Sequence, residues 1–304
     1  SIEPFAHYFP VNTAMGNHES LNNIYYEPNL KQRIDVDKFP FATESSEYLY
    51  AKEFVNPTNG PKSEDGAYYD PSVSTDDFPS YSENVFYYTF DNVAMVVLNS
   101  DYWYAPSSRF LQFVSGNLHG YIMDQQLEWF EKTISKLEKD DNIDHIFLTQ
   151  HTPFFPNGGH VQDDMWYNGN NDYRPVVAGK RVAKGIIERR DELLDIIVNQ
   201  STKVRAILTG DEHNYCKTEI GPETNRYPEV YLPPKIELKR TIYQINNGAA
   251  GAPYYAQEET PWTPFTSGFT TQNALVFFHV NGESIDMEVF NPDTLEKVDE
   301  LKLK

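Results

Sequence analysis

Three observations make this sequence an α/β fold. Short apolar runs of strand length alternate with segments whose apolar residues recur at helical spacing. Each apolar run empties into a polar loop, and the chain closes on two runs joined by Asn281-Gly282, a hairpin signal. With 304 residues, 39% hydrophobic and 14% aromatic, the chain can bury a sizeable core.

In chain order, Pro10 to Met15 reads as a strand running into Gly16-Asn17-His18-Glu19. Val85 to Ser100, VFYYTFDNVAMVVLNS, reads as two adjacent strands with a turn at Asp91-Asn92. In DQQLEWFEKTISKL, Leu127, Phe130, Ile134 and Leu137 share one helical face, with Asp124 as the cap. HIFLTQ is the next buried strand, Ile186 to Val198 the next amphipathic helix, and VRAILTG the strand after it. ALVFFHV and SIDMEVF form the hairpin, followed by a short alternating run, KVDELKLK. Two segments fall outside this pattern, about 25–82 and about 158–180, rich in Asn and Asp. Their aromatic content predicts ordered surface loops within a single domain spanning 1–304.

Charge narrows the partners. With 45 acidic against 25 basic residues the formal charge is -20, which opposes unassisted attraction to nucleic acid or an anionic membrane. A polyanionic substrate needs a local cation, and a metal ion is one way to supply it. Cys216 is the single cysteine, so no intrachain disulfide forms. No apolar run reaches the roughly 20 residues of a membrane span.

The polar residues gather at strand ends. Three predicted strands run into histidine-bearing loops, namely Asn17-His18, Gln150-His151 and Gly210-Asp211-Glu212-His213. Loops at the carboxyl ends of sheet strands converge on ligand sites in open α/β sheets. Imidazole, carboxylate and carboxamide oxygen are all metal ligands. One histidine after one strand is commonly a hydrogen-bonded surface residue; its recurrence at three strand ends favours a metal site.

GNHE at Gly16 to Glu19, QHTPFF at Gln150 to Phe155 and TGDEHNY at Thr209 to Tyr215 resemble the last three motif blocks of calcineurin-like metallophosphoesterases, most closely the purple acid phosphatase branch. The resemblance implies a four-layer αββα sandwich that hydrolyses a phosphate ester with two divalent or mixed-valence metal ions (Fe, Zn, Mn or Mg). Carried over from that family, Asn17, His151 and Asp211 share one ion and His213 binds the other. His18 and His160 are the implied catalytic residues, one beside the phosphoryl group and one at the leaving group. Arg174 is the best cation in the second long loop for clamping a phosphate. Resemblance to the phosphatase branch also suggests a secreted or periplasmic protein.

Two departures from the family pattern stand out. Gly-Asp-Glu-His replaces Gly-His-x-His, and an aspartate ligand shifts preference toward Mn, Mg, Ca or ferric iron relative to Zn. Asp211 and Glu212 are both candidates for that ligand. The family's opening Asp-x-His and Gly-Asp blocks have no counterpart here, which implies an associated N-terminal segment or chain lacking from this sequence and completing a βαβ part. A non-catalytic binding or scaffold protein with a degraded site is the alternative. A carbohydrate-binding module using Trp103, Trp166 and Trp262 is a third reading.

Overall fold

The computed structural model describes residues 7–20, 24–29, 31–72, 76–111 and 113–304. The first half carries a short helix, α1 (Asn17–Ser20), a small antiparallel hairpin of β1 (Ile24–Glu27) and β2 (Gln32–Asp35), and helices α2 (Phe41–Glu44) and α3 (Ser46–Glu53). Next come β3 (Phe86–Phe90), β4 (Val93–Val97), α4 (Asp124–Glu138) and β5 (His145–Thr149). A two-residue hairpin, β6 (Val176–Val177) and β7 (Lys180–Arg181), precedes α5 (Ile186–Leu194) and β8 (Val204–Thr209). The remaining strands are β9 (Tyr215–Ile220), β10 (Ile242–Asn247), β11 (Thr266–Thr270), β12 (Leu275–Asn281), β13 (Ser284–Phe290) and β14 (Lys297–Lys302).

These elements make a mixed α/β fold around a seven-stranded sheet of order β11-β9-β10-β8-β5-β4-β3. Its middle strands, β10, β8, β5 and β4, run parallel, and antiparallel pairs flank them. Strands β4 and β5 are near-continuous apolar runs because both faces are covered. On one face, Ile146, Leu148, Val204 and Ile207 pack with Phe130 and Ile134 of α4 and Ile187 and Leu193 of α5. On the other, Phe147, Ala206 and Ile245 meet Ile285, Met287 and Val289 of the separate three-stranded sheet β12-β13-β14. Phe147 and Phe278 mark that contact, with ring centroids 4.9 Å apart. Burying one such side chain stabilises the fold by about 1.5–3 kcal/mol.

Several expectations change. Pro10 to Met15 is not a strand, and its partners are side chains: the Thr13 amide donates to Asn56 Oδ1 at 3.4 Å and the Thr13 hydroxyl meets Tyr50 at 2.5 Å. Pro10 brings no N–H to a ladder. Asp124 lies in the first turn of α4 rather than at its cap, which is Met123. The helix from Ile186 gives way to a π-helical turn, Asp195–Asn199. Strands β9 and β11 and the elements within 25–82 had no clear periodicity in the sequence. Trp103, Trp166 and Trp262 are buried in the core, so they form no sugar-stacking surface. Among the described residues, no helix is long and apolar enough to cross a membrane.

Candidate metal centre

The parallel strands β4, β5 and β8 all deliver their carboxyl ends to one edge of the sheet. The loops that follow carry Asp101, His151 and Asp211, which converge there as open α/β sheets lead one to expect. At Asp211 the chain takes φ 63°, a left-handed conformation that aspartate tolerates better than most residues. That turn separates two neighbouring acids. Asp211 faces the histidines, whereas Glu212 Oε1 accepts the backbone N–H groups of Asn157, Gly158 and His160 at 3.0, 2.8 and 3.2 Å.

Asp211 is the hub. Its Oδ1 lies 2.9 Å from His151 Nε2, which in turn is 3.2 Å from Asn17 Oδ1. Its Oδ2 lies 2.7 Å from His119 Nε2 and 3.5 Å from His160 Nδ1. His119 is held from behind by Asp101, whose Oδ1 is 2.5 Å from Nδ1, and the Ser100 hydroxyl donates to the other oxygen of Asp101 at 3.1 Å. Asp163 Oδ1 holds His160 Nδ1 at 3.1 Å.

Asp164 completes the group and sets the electrostatic problem. Its Oδ1 is 2.9 Å from His119 Nε2, yet the side chain is fully buried and neither oxygen has a hydrogen-bond partner. One imidazole hydrogen serves one acceptor, and Asp211 has the shorter contact. Burial, then the charge of Asp211, push the Asp164 carboxyl well above the usual range. Burial works against a charged His119 as well, but Asp101 and Asp211 outweigh it and raise His119 well above the ordinary histidine value. His151 is raised because the hydrogen bond and charge of Asp211 overcome burial. Asp211 itself is depressed well below the usual range, its own burial being outweighed by His119 and His151.

Ligand atoms of His119, His160, Asp164 and Asp211 all lie within 4.8 Å of one another. A buried carboxylate whose one close partner, the His119 imidazole nitrogen, is shared with a second carboxylate is an arrangement that a bound cation would satisfy. Imidazole nitrogen and carboxylate oxygen of this kind are donors for Mn, Fe or Zn.

Of the residues singled out from the sequence, Asn17, His151, Asp211 and His160 come together. His18 is exposed on α1 next to Asn17. His213 has its Nδ1 2.6 Å from Pro253 O and its ring stacked on Tyr255 at 4.2 Å. Arg174 bonds to Ala183 O and stands 3.8 Å from Glu188, beside a different cavity. Sequence reasoning missed His119, Asp101 and Asp164 as members of the group. Asp101 had a visible signal, since NSD follows the apolar β4 as the other acids follow their strands. His119 had only Gly120, whose φ is 82° and where a Cβ would stand 2.7 Å from the Asp164 backbone.

Fold and cluster together define a mixed α/β protein with a histidine–carboxylate centre at the carboxyl edge of its parallel strands. No protein-family model matches the chain, and no curated protein matches it significantly. A solved structure described as "Structure of PhoD" aligns with a TM-score of 0.42 at 11% identity, over 95% of this chain and 54% of that one. The chain therefore spans about half the length of that protein. A likeness of this size decides nothing about activity, which has to be argued from the cluster.

Proposed function

We propose that this chain is a metal-dependent phosphoesterase of the calcineurin-like type, within a fold that belongs to the four-layer αββα class. The observation that carries the reading is Asp164, a buried carboxylate with no hydrogen-bond donor, 2.9 Å from an imidazole that already serves Asp211. His119, Asp164 and Asp211 would hold one cation. Asp211 has a second oxygen facing His151 and Asn17, and this two-sided placement supports a second ion sharing the same carboxylate.

Metal bound there neutralises phosphoryl oxygens and lowers the pKa of water toward neutrality. The protein's own groups supply the rest. Asp101 fixes His119 through Nδ1 and so leaves Nε2 toward the centre, the arrangement that orients metal-binding imidazoles. Asp163 and Asp211 at Nδ1 favour a protonated His160, burial notwithstanding, which leaves it a proton at Nε2 for a leaving alkoxide. His18, exposed beside Asn17, is available to the phosphoryl group.

The test is hydrolysis of 4-nitrophenyl phosphate and bis(4-nitrophenyl) phosphate by chelator-stripped protein, with Mn, Zn, Fe or Mg restored singly and in pairs. Metal-dependent release of nitrophenolate, abolished in Asp211→Ala, is the expected result. Absence of turnover with either ester under every metal condition contradicts the reading.

A further inference from the structure

We infer that Arg109 is the residue that grips the phosphoryl group of the substrate, in a small cavity that opens beside His119; this rests on the phosphoesterase reading above. The cavity, about 60 Å³, is lined by Tyr104, Arg109, His119, Asp163 and Tyr167 among others. That is several times the roughly 10–15 Å³ that admits one water. It is far below the roughly 300–1,000 Å³ of a pocket for a drug-sized ligand. The size selects a compact tetrahedral oxyanion rather than a whole nucleotide or sugar.

Arg109 is held in place there. Its guanidinium carbon lies 4.9 Å from the ring centre of Tyr167 and 4.7 Å from that of Tyr173. Its Nη2 donates to Gln162 O at 3.0 Å, and its Nε is shielded from solvent with no hydrogen-bond partner. A guanidinium fixed by aromatic faces loses little further freedom on binding an anion, and its fork suits two oxygens of one phosphoryl group. Asp163 is the carboxylate lining the same cavity, but it is engaged by His160 at 3.1 Å and makes no ion pair with Arg109.

The experiment measures two affinities by calorimetry on the full chain: that of Mn²⁺ for the stripped protein, and that of inorganic phosphate for the Mn-loaded protein. Arg109→Met keeps an unbranched apolar stem and removes the charge, and Arg109→Lys keeps the charge without the fork. The expected result is unchanged Mn²⁺ affinity in both variants. Phosphate should bind about ten- to a hundredfold more weakly to Arg109→Met, the range of a lost charge-assisted hydrogen bond, with Arg109→Lys between. Native Mn²⁺ affinity also certifies that each variant is folded at the centre. Wild-type phosphate affinity in Arg109→Met with Mn²⁺ binding intact overturns this inference and leaves the phosphoesterase reading standing. Failure of the wild type to bind Mn²⁺ or any other tested divalent ion removes that reading and this inference together.

Discussion

Asp164→Asn is expected to stabilise the metal-free protein and destabilise the metal-loaded one relative to wild type. The carboxyl is fully buried, lacks a donor and sits beside the Asp211 carboxylate, so without metal it opposes folding. A buried polar group left unsatisfied costs about 1–3 kcal/mol. The sign with pH follows from the raised carboxyl: folding favours its protonated form, so its penalty is small in acid and grows as pH rises toward 8. The asparagine variant should therefore exceed wild type by about 1–3 kcal/mol at pH 8 in chelator. Metal at a thousand times its dissociation constant adds about 4.1 kcal/mol to wild type, more than that deficit. The variant, having lost a ligand, gains less, and the order reverses. Urea denaturation followed through the buried Trp166 and Trp262 reports both conditions. Equal loss of stability in chelator and in metal would refute the argument, because Asp164 would then be an ordinary structural residue.

Glu212→Ala should behave oppositely to Asp164→Asn, losing about 2–4 kcal/mol with or without metal because three buried backbone N–H groups lose their acceptor; chemical denaturation in both buffers checks it. Asp101→Asn should leave the chain folded and weaken metal binding about 10–100-fold by loosening His119, read by competition with a chromogenic chelator. Glu64, buried under α4 among Tyr81 and the Gln125 and Gln126 amides, is pushed by burial from 4.5 to about 7. Folding favours its protonated form, so it contributes most below pH 4.5, and about 3 kcal/mol of stability is lost as pH rises to 7. The difference in slope between wild type and Glu64→Gln over that window measures this.

Strands β4, β5 and β8 were legible because their apolar runs are bounded by polar loops, as in VAMVVL and VRAILT; the parallel strand β10, with its Gln and Asn residues, was not. The same logic brought Asn17, His151 and Asp211 to one place, although the strand expected before Asn17 is an extended loop. What the sequence could not supply was direction. Asp211 and Glu212 differ in role because one backbone angle turns them to opposite sides, and no local pattern encodes that angle. Likewise His213 looks like a ligand by spacing, yet it lies against Tyr255 and Pro253. His119 and Asp164 were hidden for a different reason. They come from irregular segments that meet only in three dimensions, where Gly120 lets one backbone approach the other.

The most direct test is elemental analysis and Mn²⁺ titration of chelator-stripped protein, comparing wild type with Asp211→Ala. Wild type is expected to bind stoichiometrically and the variant to lose binding, since both groups of candidate ligands meet at that carboxylate. Wild type that takes up no divalent metal, or an Asp211→Ala chain that binds as well as wild type, would contradict it.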